Sequence, residues 1–412
     1  MINKKTVYIE AAFKGCFSAS LDCNYYKELF VRNGYTVVSD PHKAVVILLA
    51  MCTGENKAYA LSTGLFNRLI KQRREGAQII IGGCLTASEK KDCIKNKGCF
   101  SFIPGEEESL ARYLNFETFF TNDNIRDNLD VHDACLSTKK WIAVRKVLAG
   151  FRCICGALRL PASALIGRIL NVTRTYSEKS CVIRVSKGCS GKCTYCVERS
   201  ARGPLHSRPI ARIVAEIEER LRLGYNHFTI VSDDVGYYGL DIGSNFCELI
   251  KAVLSAGDDF TLSIRSLNPK CLIERINEFS NLIIPGRITD IESPVQAGNN
   301  RILAKMGRGH TREEYINAFK MILAKDPNIS IKTHIIIGFA DETREEFNDT
   351  VQLTELIPIE KCDITYYTVN PGTVSSAYNN CVSLNEMKRR HRMFIYAMTK
   401  SFARRLFLEK GF

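Results

Sequence analysis

The sequence predicts an α/β protein in two main parts. Residues 1–116 read as a doubly wound parallel sheet, and 178–383 as a partial (β/α)6 barrel followed by a basic helix at 384–412. Three observations predict this. Short apolar runs alternate with amphipathic stretches of helical length, the pattern of parallel sheets with crossover helices. The alternation is interrupted once, across 117–177, as a linker between domains would interrupt it. The second series has six β/α units in about 200 residues, too few for a complete eight-unit barrel.

The elements follow in order. Residues 7–13, 44–50 and 77–82 are short apolar runs ending near Gly or Cys, with helical spacing at 21–32 and 57–74 between them. The linker opens polar and acidic (TNDNIRDNLD) and turns basic and apolar (KKWIAVRKVLAGFRCICGALRL), giving one or two helices with a basic face. Its Cys153 and Cys155 form a C-x-C pair with no further ligand beside them, and read as buried or idle thiols. Barrel strands are predicted at 181–187, 227–232, 260–265, 289–293, 330–337 and 363–368. Helices fall between them at 210–223, 245–255, 269–279, 299–305 with 312–325, and 344–356. The tail NEMKRRHRMFIYAMTKSFARRLFLEK reads as one long helix whose Lys388, Arg390, Arg392, Arg404 and Arg405 make a basic face, either solvated or in contact with phosphate.

Composition bounds the function. The 412 residues are 45% hydrophobic and 25% charged, too apolar for a disordered chain and long enough for two or three domains. The longest apolar run, 44–52, falls far short of the roughly 20 residues that span a bilayer. The start, MINKKTVYIE, has no apolar core or small-residue cleavage site, so no signal peptide and a cytoplasmic location are expected. The formal net charge of +13 favours a polyanionic partner, nucleic acid being the commonest. Seventeen cysteines are about 4% of the chain, below the 8–10% of disulfide scaffolds, so spacing must decide their role.

The strongest spacing is KGCSGKCTYC, which sets Cys189, Cys193 and Cys196 on one tight loop after a strand. Three thiolates can hold three corners of a [4Fe–4S] cube and leave one iron open to an outside chelator. A structural zinc site is the alternative; it needs a fourth ligand, for which His206 is the nearest candidate. A second trio is dispersed: Cys16, Cys52 and Cys84 each follow one of the three N-terminal strands. Were those strands parallel neighbours, their carboxyl ends would share the edge where α/β sheets build sites. Three unrelated buried cysteines remain the other reading.

The C-x3-C-x-aromatic-C spacing, with Tyr195 as the aromatic residue, resembles the signature of the radical S-adenosylmethionine enzymes. A leading domain with one cysteine after each of three strands resembles the methylthiotransferase family among them. Further segments are similar to that family: CTYCVERSARGPLHSRP, SPVQAGNNRILAKMGRGHT with its Met-x-Arg, THIIIGFADET and YYTVNPGTVSSAY. SDDVGYYGLDIG is most similar to the branch acting on threonylcarbamoyl-adenosine of tRNA. The sequence departs from the family at Ala19, where Asn is usual, and at Ala50-Met51-Cys52, where Asn-Thr-Cys is usual; Asp22 is retained. Family members acting on tRNA usually end in a small RNA-gripping β-barrel, which the roughly 30 residues of helical pattern at 384–412 are not expected to form.

The resemblance implies two [4Fe–4S] clusters, S-adenosylmethionine, a one-electron donor such as flavodoxin or ferredoxin, and no membrane. It implies insertion of a methylthio group at an unactivated C–H, with C2 of threonylcarbamoyl-adenosine-37 in tRNA as the expected target. Cys16, Cys52 and Cys84 would hold one cluster and Cys189, Cys193 and Cys196 the other. Ser232, Asp233 and Asp234 stand where the family holds the amino group of S-adenosylmethionine, unless they serve as a cap or turn. Arg265 is a candidate for the methionine carboxylate or for an ion pair, Gln296 for ribose or substrate. Gly338 and Glu342 flank a turn where glycine would let backbone approach adenine. Other readings are methylthiolation of a peptide or ribosomal-protein side chain, a radical enzyme without sulfur insertion, and a basic RNA-binding protein with structural metal.

Overall fold

The N-terminal elements run β1 (Thr6–Ala11), α1 (Phe17–Arg32), β2 (Thr36–Val37), β3 (Val46–Ala50), α2 (Asn56–Gln72), β4 (Gln78–Gly82), β5 (Phe100–Ser101) and α3 (Glu107–Leu114) in the computed structural model. It describes residues 5–13, 16–52, 56–87, 98–117, 128–131, 179–378 and 382–407. The five strands form a parallel sheet in the order β2-β1-β3-β4-β5. Period-two alternation explains the double winding. Val46, Leu48 and Ala50 of β3 pack with Tyr26, Leu29 and Phe30 of α1, while Ile47 and Leu49 pack with Phe66 and Leu69 of α2 on the opposite face. Each fully buried side chain of this kind contributes about 1.5–3 kcal/mol relative to exposure.

The second part runs β6 (Asn128–Val131), β7 (Lys179–Arg184), β8 (Ser186–Lys187), α4 (Glu198–Arg202), β9 (His206–Ser207), α5 (Ile210–Arg222), β10 (Tyr225–Val231), α6 (Phe246–Leu254), β11 (Thr261–Ile264), α7 (Pro269–Glu274) and α8 (Ile276–Asn281). It continues through β12 (Ile288–Glu292), α9 (Asn300–Lys305), α10 (Arg312–Lys325), β13 (Ser330–Ile337), α11 (Arg344–Leu356), β14 (Ile359–Tyr366) and α12 (Leu384–Phe407). Six strands pair in parallel in the order β14-β13-β12-β11-β10-β7, the expected partial barrel. The linker reading needs one correction: its residues 128–131 form β6, an antiparallel edge strand on β7. Four residues pairing on a distant strand leave no periodicity that a sequence reading can detect. The rest of that segment, with Cys153 and Cys155, lies outside the described residues.

The two faces of the barrel sheet differ in chemistry. Ile183, Phe228, Ile230, Leu262, Ile291 and Ile335 join the core beneath the helices. Alternate positions, among them Arg184, His227, Ser263, Asp290, Lys332 and His334, set polar groups on the inner face. There Lys332 Nζ lies 2.5 Å from Asp290 Oδ1, both side chains buried. Although burial pushes Asp290 up, Lys332 and Arg265 hold its carboxyl well below the usual range.

Helix α12 is not an independent basic arm. Met387, Phe394 and Met398 bury against the barrel core. Arg390, expected on a basic face, is 3% exposed and donates from Nη1 to Glu342 Oε2 at 2.7 Å. Arg405 donates to Thr354 O and Ile357 O, both at 3.3 Å. Two of the five basic residues singled out thus fasten the helix to the barrel.

Candidate functional site

The loop after β8 is shaped by glycines that no other residue could replace without strain. Gly188 has φ +75°, and a Cβ there would lie 2.0 Å from Pro204 O. Gly307 has φ +70°, and its Cβ would meet Lys192 O at 2.7 Å. The Met306–Arg308 segment is thereby pressed onto the cysteine loop, with Thr194 N donating to Met306 O at 3.0 Å and Thr194 Oγ1 to Lys305 O at 2.9 Å. Tyr195 packs edge-on against Phe339 at 6.1 Å, anchoring the loop's aromatic position in a side cluster with Met306.

The sulfurs of this trio sit among placed donors. Gly191 N donates to Cys189 Sγ at 3.2 Å, and buried Arg308 donates from Nη1 to Cys193 Sγ at 3.1 Å and from Nη2 to Pro294 O at 2.5 Å. Asp234 Oδ2 lies 3.8 Å from Cys189 Sγ and accepts from Asn268 Nδ2 at 2.7 Å. Burial pushes its carboxyl up to about 6 against those hydrogen bonds. Ser293 Oγ and Arg308 Nε are buried without a hydrogen-bond partner, polar capacity left beside the carboxyl end of β12. Three partly exposed thiols, a cation on one sulfur and a glycine cradle fit a bound cube with an open iron.

The dispersed trio converges through topology. β1, β3 and β4 are adjacent and parallel, so the residues after them share one sheet edge. Cys52 and Cys84 each lie two residues beyond their strands, and Cys16 caps α1, its Sγ accepting from Ala19 N at 3.5 Å. Backbone bonds lash these ends together: Ala12 N to Ala50 O at 3.0 Å, Met51 N to Gly82 O at 2.8 Å and Leu85 N to Met51 O at 3.2 Å. Gly83, at φ +89°, has no room for a Cβ, which would stand 2.4 Å from Met51 O. These three thiols are partly exposed, whereas Cys23, Cys181, Cys247 and Cys271 are buried. The donor set again suits an iron–sulfur cube.

A buried ionic network joins the two loops. Asp233 Oδ1 accepts from Ser18 Oγ at 2.9 Å, close to Cys16, and its Oδ2 accepts from Gly188 N at 2.8 Å, next to Cys189. Arg202 donates from Nε to Asp233 Oδ2 at 3.1 Å and from Nη1 to Asp22 Oδ2 at 2.6 Å. Arg184 Nη1 completes the network on Asp22 Oδ1 at 2.6 Å. Burial raises the Asp22 carboxyl, yet Arg202 and Arg184 hold it well below the ordinary carboxylate range. Asp233, expected at an amino group, is therefore spent on joining the domains.

The other expected residues fall in several places. Ser232 Oγ pairs with Ser186 Oγ at 2.6 Å, next to the cysteine loop. Arg265 Nη1 lies 2.5 Å from Glu292 Oε2, so its charge is already met by a carboxylate. His334 Nε2 stands 3.3 Å from Glu292 Oε1 and 3.6 Å from Asp363 Oδ2, extending this inner-face row. Gln296 has φ +74° and is tied by its backbone, with N donating to His334 O and O accepting from Ile336 N. The side of Gly338 that a Cβ would occupy is filled by Met387 at 2.8 Å, so this glycine admits α12 rather than serving adenine there. Glu342 accepts from Gly338 N at 3.0 Å and from Arg390, a role in fastening α12. His206 is exposed on the β8–β9 ribbon. Arg202, Arg308 and Asn268 were not foreseen; only the Met-x-Arg likeness pointed toward Arg308.

Residues 183–354 match the model of the Radical SAM superfamily, and residues 6–105 that of the uncharacterized protein family UPF0004. A probable threonylcarbamoyladenosine tRNA methylthiotransferase of Pyrococcus horikoshii is 31% identical over 198 residues, 48% of this chain and 47% of that protein. The chain thus spans about half the length of that relative. A tRNA-2-methylthio-N(6)-dimethylallyladenosine synthase of Fervidobacterium nodosum is 27% identical over 406 residues, 95% of this chain and 83% of that protein. The radical S-adenosylmethionine methyltransferase TsrM of Kitasatospora setae shares the fold, with TM-score 0.60 at 12% identity over 90% of this chain and 77% of that one. The barrel part thus matches the Radical SAM superfamily, and the chain as a whole is similar to tRNA methylthiotransferases.

Proposed function

We propose that this chain inserts a methylthio group at C2 of an N6-modified adenosine in tRNA, with threonylcarbamoyl-adenosine-37 as the substrate. The observation that carries the reading is the bridge at Asp233, which ties the residue before Cys189 to the helix that starts beside Cys16. Two thiol trios held in fixed relation suit a reaction that needs both a radical and a sulfur source at one substrate carbon. With a cube at each trio and S-adenosylmethionine bound, the site would supply one-electron cleavage, a sulfur atom and a methyl group.

The protein's share is binding, orientation and exclusion of water. Cys189, Cys193 and Cys196 would hold one cube and Cys16, Cys52 and Cys84 the other. Arg308 would offset negative charge at Cys193, and Asp234 and Ser232 would stand beside the S-adenosylmethionine amino group. A donor such as flavodoxin or ferredoxin would deliver the electrons. The +13 charge suits a tRNA, as does the resemblance of SDDVGYYGLDIG. Longer coverage by the dimethylallyladenosine type supports a second reading, in which the adenosine carries that group instead.

Mass spectrometry of tRNA nucleosides from cells with and without the gene tests both. Loss of the methylthio form of threonylcarbamoyl-adenosine alone supports the first reading, and loss of the dimethylallyl form alone supports the second. An unchanged profile contradicts both and turns the search to peptides.

A further inference from the structure

Arg202 ends α4, the short helix that leaves the barrel's cysteine loop, and α4 packs against the Cys84–Ala87 turn of the N-terminal domain. Arg202 is buried, at 6% exposure. Nε is spent on Asp233 and Nη1 on Asp22, but Nη2 is buried with no hydrogen-bond partner. Buried donors are almost always paired, so an unspent one calls for a ligand. Cys84 is within electrostatic reach of the same guanidinium. The local charges of Asp22, Asp233, Arg184 and Arg202 already cancel, leaving any anionic sulfur gathered at the strand ends to be met by this spare donor.

We infer that Arg202 is a positioning residue for the N-terminal trio, holding the domain seam with two of its nitrogens and offering Nη2 to anionic sulfur at Cys84. The inference rests on the two-centre reading above. It differs from a purely structural role because charge beside a cluster sets its reduction potential.

Potentiometric EPR titration of the anaerobically reconstituted protein tests it, the N-terminal signal being identified by its loss in a Cys16/Cys52/Cys84 triple serine variant. Arg202→Gln is expected to make reduction of that cluster at least tenfold less favourable, about 59 mV for one electron, with the barrel cluster unmoved. Arg202→Lys should stay close to the parent. Asp22→Asn, which removes a negative charge from the same network, should shift the potential the opposite way, and it carries the test if Arg202→Gln does not fold. Shifts of the same sign in Arg202→Gln and Asp22→Asn, or no shift in either, would overturn the inference. Absence of the N-terminal signal from the parent protein would instead overturn the two-centre reading itself.

Discussion

The two thiol trios solve one problem by different means. In the barrel, ten consecutive residues supply the loop, and a buried arginine touches sulfur directly: Arg308 to Cys193 at 3.1 Å. In the N-terminal domain the thiols come from three separate strand ends, and the order of β1, β3 and β4 gathers them. The arginine there reaches Asp22 and Asp233 first, so charge arrives through a network shared with the barrel. A local loop can carry its own electrostatics. A dispersed site depends on the packing of two domains, and is the more sensitive to changes at their seam.

The largest contrast should come from the thiols. Serine at Cys189, Cys193 or Cys196 is expected to abolish formation of 5′-deoxyadenosine, whereas serine at Cys16, Cys52 and Cys84 together should spare it and abolish thiolation. Product analysis of both variants checks this. Next, Asp22→Ala leaves two buried arginines without their shared carboxylate and should cost about 3–5 kcal/mol in denaturant unfolding. The sign with pH follows. Because the folded-state carboxyl titrates below its unfolded value, its stabilisation is present above about pH 4 and lost on acidification. Asp22→Asn should therefore flatten the acid side of the stability profile.

Smaller effects separate the sites further. Arg308→Gln removes a charge-assisted hydrogen bond worth about 1.5–3 kcal/mol and should lower turnover roughly 10–100-fold while leaving the N-terminal signal intact. Gly307→Ala places a side chain at positive φ against Lys192 O and should cost about 1–3 kcal/mol, read as earlier loss of the barrel cluster on warming.

The same contrast explains what could be read from the chain. KGCSGKCTYC declares itself because its ligands are neighbours in sequence, and α10 and α11 match their expected bounds because capping boxes at Thr311/Glu314 and Thr343/Glu346 mark their starts. The N-terminal trio was legible only on the assumption that three apolar runs were parallel neighbours, which the sheet order confirms. Long-range pairing was not legible. The sequence does not record that Asp233 is held by Ser18 and Arg202, that Met387 fills the space beside Gly338, or that residues 128–131 pair with β7. The predicted helix at 269–279 is two, meeting at Arg275, whose φ of −118° departs from helical geometry. Asp234 and Asp233 are adjacent in sequence, yet the first lies against the Cys189 sulfur while the second accepts from Ser18 and Arg202.

The central claim is that two iron–sulfur centres share this chain, one on each trio. Iron and acid-labile sulfide measured per chain after anaerobic reconstitution test it most directly. About eight of each are expected in the parent protein and about four in the Cys16/Cys52/Cys84 serine variant, given four per cube. About four in both would contradict the account, since the N-terminal thiols would then hold no cluster.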